Sequence, residues 1–182
     1  MGLQVLDGTR VFIALRATGL LRSLAHDPVL TARPARVTVD FTAPGAPAPV
    51  EASFEASAIE APAGVSASDG EKMLDNLRSR EVLDVARFPT IAFRGVFTGT
   101  LEGGALAGEL LVKGAARRIA IPVTVSPGAD AAVTTGTLVA TGTWEGRLTD
   151  LGIKPFKALL GAIKLDDWVS LRVDARFARP EP

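Results

Sequence analysis

The one histidine of the chain lies in a short polar cluster that could carry hydrolytic chemistry. His26 is followed by Asp27 and preceded, three residues upstream, by Ser23. Adjacent residues of an extended chain point to opposite faces, so these neighbours cannot form a side-by-side His–Asp hydrogen bond. A lone histidine also cannot hold a metal without carboxylates at helical or hairpin spacing. We therefore expect a structural corner histidine, no catalytic residues, no metal and no other cofactor.

A second group of polar residues lies around a predicted hairpin. Lys113, Arg117 and Arg118 flank the turn and could face an anionic headgroup, although such charges more often only solvate a loop. The pair Gly103-Gly104 is not a phosphate-binding loop, because no strand–loop–helix with Lys-Ser/Thr follows it. Arg117 and Arg118 remain candidate headgroup contacts.

Composition excludes several classes of protein. Among 182 residues, 20 are Lys or Arg and 20 are Asp or Glu, so the formal net charge is zero and no nucleic-acid partner is expected. There is no cysteine, which excludes disulfides and thiolate chemistry. The N-terminus lacks the pattern of a signal peptide, and no apolar run reaches the roughly 18–20 residues of a spanning helix. We expect no transmembrane segment and a cytoplasmic protein, or a periplasmic one if a leader has been removed.

Alternation of apolar and polar residues predicts a mainly β protein. It is clearest near the C-terminus, where Val169, Leu171 and Val173 oppose Ser170 and Arg172. About eight or nine such segments, joined by short turns, favour one curved antiparallel sheet with one apolar face. That many strands usually close into a barrel or split into a sandwich, and the regular turn spacing favours the barrel. We expect one domain over residues 1–182, with its core at about 10–178.

Two helices are predicted beside the sheet. Ser68 and Glu71 match a capping box, so a helix should run to about Arg80 with Met73, Leu74 and Leu77 on its apolar stripe. A short second helix is predicted around Pro155–Ala162. Its apolar residues could form a plug packed on the core or a lid over a bound ligand, and the two interpretations are nearly even; these residues are Phe156, Leu159, Leu160 and Ile163.

Three segments together resemble the YceI-like family of lipid-binding proteins. The first is V-L-D-V-A-R-F-P-T-I-A-F-R-G at 82–95, a helix-to-strand junction marked by Pro89. The second is G-E-L-L-V-K-G-A-A-R-R-I-A-I-P-V at 108–123. The third joins L-T-D-L-G-I-K at 148–154 to D-D-x-V-x-L-x-V at 166–173. The resemblance implies an eight-stranded, lipocalin-like antiparallel barrel with a flanking helix.

The same resemblance implies a function, namely binding a polyisoprenoid or similar long apolar chain in an elongated pocket. An isoprenoid or other long-chain lipid is thus the expected partner, and a homodimer through an exposed strand is left open. The segment L-A-H-D-P-V-L at 24–30 resembles the family's histidine-containing segment, which makes His26 a further possible headgroup contact. Fatty acids and their amides suit the same pocket, whereas a structural or interaction barrel would be filled by its own side chains. Inward parity along the strands predicts the pocket residues, with two more at one end: Phe12, Val39, Phe54, Ile91, Phe93, Ile121, Val123, Leu171 and Val173, with Phe156 and Leu160.

Overall fold

The computed structural model describes residues 3–18, 27–43, 45–128, 137–155, 157–158 and 163–178. Ten antiparallel strands and one α-helix make up most of this part of the chain. The strands are β1 (Arg10–Thr18), β2 (Val29–Ala32), β3 (Arg36–Val39), β4 (Ala48–Glu55), β5 (Thr90–Thr100), β6 (Gly103–Val112), β7 (Ala115–Pro127), β8 (Thr137–Gly146), β9 (Lys157–Ala158) and β10 (Ile163–Ala178).

All strands belong to one sheet, which curls into a half-barrel. Its order is β2-β1-β10-β8-β7-β6-β5-β4-β3, and β9 pairs with the start of β10. Two backbone contacts link each edge strand to a segment that lies beside the other edge of the sheet. Strand β2 contacts the segment after β4, and β3 contacts the N-terminal segment, which also pairs with β10. Thr31 and Glu60 exchange backbone hydrogen bonds of 3.2 and 2.8 Å, and the Leu3 N–H donates to the Val39 carbonyl at 2.9 Å. The predicted mainly β, antiparallel fold is confirmed, with nine strands in the main path instead of eight.

Helix α1 (Ala67–Arg78) follows β4 and begins two residues earlier than the sequence predicts. Ser66 is the N-cap, and its hydroxyl accepts a hydrogen bond from the Asp69 N–H at 3.1 Å. Ser68 and Glu71 have the same spacing, so two overlapping patterns competed and the sequence alone favoured the wrong one. The predicted apolar stripe is confirmed, because Leu74 is buried while Met73 and Leu77 pack on the core.

The short second helix predicted around Pro155–Ala162 is wrong for the described residues of this range. Lys157 and Ala158 form the two-residue strand β9, which pairs with Lys164 and Ile163 of β10. The backbone N–H and C=O groups of β9 are satisfied by pairing with β10 instead of within a helix. The spacing of apolar residues is a local pattern, so it could not show this pairing. Phe156 and residues 159–162 lie outside the described part of the chain.

The junction between α1 and β5 has the predicted form. Pro89 precedes β5, and the Asp84 carbonyl accepts hydrogen bonds from the N–H groups of Arg87 and Phe88 at 2.9 and 2.8 Å. The Phe88 ring lies against Gly114 in the β6–β7 turn, where an added Cβ would be 2.7 Å from the ring. The junction therefore packs against the turn of the β6–β7 hairpin.

Candidate ligand-binding cavity

A cavity of about 1600 Å³ lies inside the curled sheet. It is bounded by the inner face of the strands, by the inward face of α1 and by the loop at 62–65 that precedes the helix. The lining is overwhelmingly aliphatic and aromatic. Ligand pockets for drug-sized molecules are usually about 300–1,000 Å³, so this space suits a larger or longer ligand.

The structure brings the described pocket residues predicted from the sequence to this one space. All nine border the cavity, and eight of them have inward-facing side chains. They belong to strands that are far apart in sequence but adjacent in the sheet, and pairs such as Phe54 and Ile91 lie directly across from each other. Whether they contact a ligand remains a prediction. The eight are Val39, Phe54, Ile91, Phe93, Ile121, Val123, Leu171 and Val173.

Phe12 is the exception, since its side chain belongs to the outer face. It pairs with Arg172 across the β1–β10 ladder, and the Arg172 guanidinium lies 4.5 Å from the centre of the Phe12 ring. Cross-strand partners share a face, and Arg172 is exposed. The inward residues of β1 are Val11, Ile13 and Leu15. Because residues 11–15 are all apolar, alternation along the sequence does not show which of the two alternating sets of side chains faces the core.

The inner face of the β5–β6 hairpin alternates aromatic rings with pairs of glycines. Gly95 lies directly across from Gly108, and the Phe93 ring covers both of them. A Cβ added at Gly95 would be 2.7 Å from the Phe93 ring and 2.5 Å from the Ala107 carbonyl oxygen. One at Gly108 would be 2.8 Å from the same ring. Only glycine permits this close approach, so the ring lies flat against the sheet and leaves the space above it open.

The same arrangement repeats one step along the hairpin. Gly99 pairs with Gly104, and a Cβ at either residue would lie within 3.0 Å of the Phe97 ring. Glycine pairs of this kind also allow a sheet to bend sharply. Gly99 and Gly104 therefore shape the wall of the cavity, as Gly95 and Gly108 do.

The cavity has a polar end and an apolar end. Among the described lining residues four are charged, and topology places all four at the end where β4, β6 and β8 finish and α1 lies, here called the helix end. The opposite end, formed by the β5–β6 turn, the β3–β4 connection and the N-terminal segment, is lined by residues such as Phe41, Leu101 and Phe177. An amphipathic ligand would fit this polarity in one orientation. The four charged residues are Asp27, Asp69, Lys72 and Lys154.

The arginines predicted as headgroup contacts are not among the described lining residues. Arg117 donates two hydrogen bonds to the Asp150 carbonyl oxygen, from Nε at 3.0 Å and from Nη2 at 2.9 Å. Arg118 points outward, with Nε 3.7 Å from a Glu109 carboxylate oxygen. His26 lies outside the described residues. Its neighbour Asp27 accepts a hydrogen bond from the Ala17 N–H at 2.9 Å.

The turn that contains Asp150 is fixed from two sides. It is a single 3-10 turn, Thr149–Leu151, whose backbone is held by Arg117 on one side and by Asp167 on the other. Asp167 accepts from the Thr149 N–H at 2.9 Å and from the Thr149 hydroxyl at 2.6 Å. These hydrogen bonds, first that of the hydroxyl, lower the pKa of Asp167 below its usual value. They join the sequence segments 148–154 and 166–173 in the folded chain.

No group of three or more His, Cys, Asp or Glu among the described residues could hold a metal ion. No helix in the described part of the chain is long and apolar enough to cross a membrane.

Comparison with known proteins identifies the family. The family model of the YceI-like domain matches residues 30–177, most of the chain. The chain belongs to the YceI-like family. No curated protein sequence matches the chain.

Solved structures show the same YceI-like fold at low sequence identity. Burkholderia cenocepacia BcnA is 13% identical over 92% of this chain and 95% of its own, with a TM-score of 0.65. A Campylobacter jejuni YceI protein is 12% identical over 80% of this chain and 81% of its own, with a TM-score of 0.61. A mutant of the latter, equally similar, was crystallised with monobromobimane as a guest. The fold is a lipocalin-like β-barrel, an architecture consistent with ligand binding.

Proposed function

We propose that this protein binds a long apolar isoprenoid lipid or prenylated quinone in its cavity and acts as a carrier, store or sequestering protein. The observation that carries the proposal is the cavity of about 1600 Å³, because the described side chains leave this space open and line it with apolar atoms. The YceI-like family supports the same assignment. The protein needs no catalytic group for this role, and we propose that it is not an enzyme.

Burial of an apolar chain is sufficient to explain useful affinity. Transferring one methylene from water contributes roughly 0.8 kcal/mol, so a five-carbon isoprene unit would contribute about 3–4 kcal/mol before ordering costs. Micromolar binding requires about 8 kcal/mol in total, which a few units exceed even after the loss of chain and rotational freedom.

Fatty acids and other amphipathic chains are the alternative ligands, since they would use the same apolar lining. Branching distinguishes the two classes, because a prenyl chain carries a methyl group at every fourth carbon and is wider than an acyl chain. A competition titration of prenyl against acyl chains of equal length decides between them. The open interior disfavours the other alternative, a structural barrel filled by its own side chains.

The test of the proposal combines lipid extraction with a cavity-filling variant. Extraction of the purified protein followed by mass spectrometry is expected to release a prenyl lipid, and the delipidated protein should take up prenyl alcohols in a fluorescence titration. Leu106→Trp adds an indole on the inner face of β6 and should weaken uptake at least about tenfold by occupying space that the ligand needs. Ala107→Trp adds the same group on the exposed outer face one residue away and should bind as the parent does.

Absence of any extractable lipid together with no uptake of prenyl or acyl chains would refute the proposed function. Equal uptake by the Leu106→Trp and Ala107→Trp variants would also refute it, because binding would then lie outside the cavity. Homodimerisation and a cytoplasmic location remain predictions, which gel filtration and cell fractionation can test.

A further inference from the structure

The charged residues at the helix end of the cavity differ in how well their polar groups are satisfied. Asp27 accepts the Ala17 N–H. Asp69 accepts the Ser66 hydroxyl at 2.7 Å and pairs with Lys72, whose Nζ is 3.6 Å from its second oxygen. Within the described part of the chain, both carboxylates thus already have donors.

Lys154 is the exception at this end of the cavity. It lines the cavity and its side chain is exposed, yet it has no hydrogen bond or ion pair with any described residue. The Lys154 ammonium is therefore a cationic hydrogen-bond donor without a partner among the described residues, and such a group attracts an anionic acceptor. A lysine keeps its apolar stem along the wall while its ammonium reaches polar atoms at the mouth.

The backbone that carries Lys154 is well fixed. It follows Ile153, which is buried and donates its N–H to the Leu148 carbonyl at 3.0 Å. The preceding turn is held by Arg117 and Asp167 through the hydrogen bonds described above. Because the backbone before Lys154 is already held, the contact with a ligand has mainly the entropic cost of ordering the lysine side chain.

From this arrangement we infer that the protein orients its lipid with the headgroup at the helix end, and that Lys154 binds an anionic headgroup there. Lys72 lines the same end of the cavity, while the tail extends towards the apolar end at Phe41 and Phe177. The inference rests on the proposed function and adds to it a preference for phosphate- or carboxylate-headed chains over neutral ones. Arg117 is a positioning residue for Lys154 and does not contact the headgroup.

The experiment compares ligands that differ only in their headgroup. Geranylgeraniol and geranylgeranyl monophosphate are titrated against a neutral fluorescent prenyl alcohol, and hexadecanol and hexadecanoate form a second pair. The parent protein should bind each anionic ligand more tightly than its alcohol. Lys154→Met keeps the stem but removes the charge, so it should weaken binding of the anionic ligands about fivefold, the upper range for an exposed ion pair. Binding of the alcohols should change by less than about twofold.

Lys113→Met is the matched control for net charge. Lys113 lies at the same end, but its Nζ donates to the Glu81 carbonyl at 3.1 Å and it is not among the described lining residues. Its substitution should leave all four affinities unchanged. If Lys154→Met weakens binding of geranylgeranyl monophosphate alone, the site is specific for phosphate. If it weakens binding of hexadecanoate as well, the site accepts anions in general.

The inference fails if Lys154→Met binds the anionic ligands as the parent does, or loses affinity for alcohol and anion equally. In both cases chain binding persists and the proposed function stands. If the parent binds none of the four ligands, the proposed function itself fails.

Discussion

Single glycines decide how much of the interior stays open. Phe93 and Phe97 are large enough to obstruct the cavity, but each ring lies flat over a cross-strand glycine pair. The pairs Gly95–Gly108 and Gly99–Gly104 thus supply both the bend of the hairpin and the place for the ring. An aromatic ring over glycine also shields backbone that would otherwise be exposed to the cavity.

A substitution at Gly108 tests this role. Gly108→Val places a branched side chain against the Phe93 ring and the backbone of β5, so we expect a loss of about 1–3 kcal/mol in the free energy of unfolding, as is usual for overpacking. Ala107→Val is the control, because Ala107 is exposed on the outer face and valine favours strands. Urea denaturation measures both, and equal stability of the two variants would contradict the role of Gly108.

Elements position the polar end of the cavity. Helix α1 contributes apolar side chains, such as Met73 and Leu77, and polar ones, such as Lys72 and Asn76, to the same lining. The turn Thr149–Leu151 faces the same end and carries Lys154 just beyond it. Neither element is part of the sheet, so the helix cap and the hydrogen bonds of the turn to Arg117 and Asp167 determine how rigid the entrance of the cavity is.

The cap of α1 gives a prediction that separates two overlapping motifs. Ser66→Ala removes the acceptor for the Asp69 N–H and should destabilise the protein by about 1 kcal/mol. Ser68→Ala changes an exposed helix position at which alanine is favourable, so it should be neutral or slightly stabilising. Thermal denaturation and amide exchange of α1 provide the measurements. A larger loss for Ser68→Ala would restore the capping box at Ser68 and Glu71.

At the scale of the whole molecule, a single curled sheet encloses a space that its own described side chains do not fill. The half-barrel depends on contacts between distant segments, such as Leu3 with Val39 and Thr31 with Glu60. An exposed ion pair adds to the second contact, with Arg33 Nε 2.6 Å from a Glu60 carboxylate oxygen. A molecule with a large apolar cavity should gain stability when an apolar ligand occupies it.

Ligand occupancy should therefore raise the melting temperature. A ligand at about 100 times its Kd stabilises the folded state by about 2.7 kcal/mol. For a chain of this length, each kcal/mol shifts Tm by roughly 2–4 °C, so saturation with a prenyl ligand should raise Tm by about 5–11 °C. Differential scanning fluorimetry of delipidated protein measures the shift. The Leu106→Trp variant should show a much smaller one, and an equal shift in both proteins would place binding outside the cavity.

Strand positions and the apolar inner face followed from the sequence, because alternation is a local property of each strand. Val169 to Phe177 shows this most clearly, and Pro89 marks the start of β5 for an equally local reason. The three family segments indicated the fold because each is a continuous local pattern that can be recognised in the sequence itself. The face of Phe12 and the helix cap predicted at Ser68 were wrong, because in each case a second local pattern fitted equally well. Pairing with Arg172 decides the face of Phe12, and the hydrogen bond between Ser66 and Asp69 decides the cap.

The cavity and its polarity were decided only by the tertiary structure. Gly95 and Gly108 are 13 residues apart, and their pairing depends on the register of two strands. Asp27, Lys72 and Lys154 are distributed over most of the sequence, and the curl of the sheet places them at one end. An empty volume is a property of how distant strands surround it, so the sequence could predict which residues face inward but not how much space they leave.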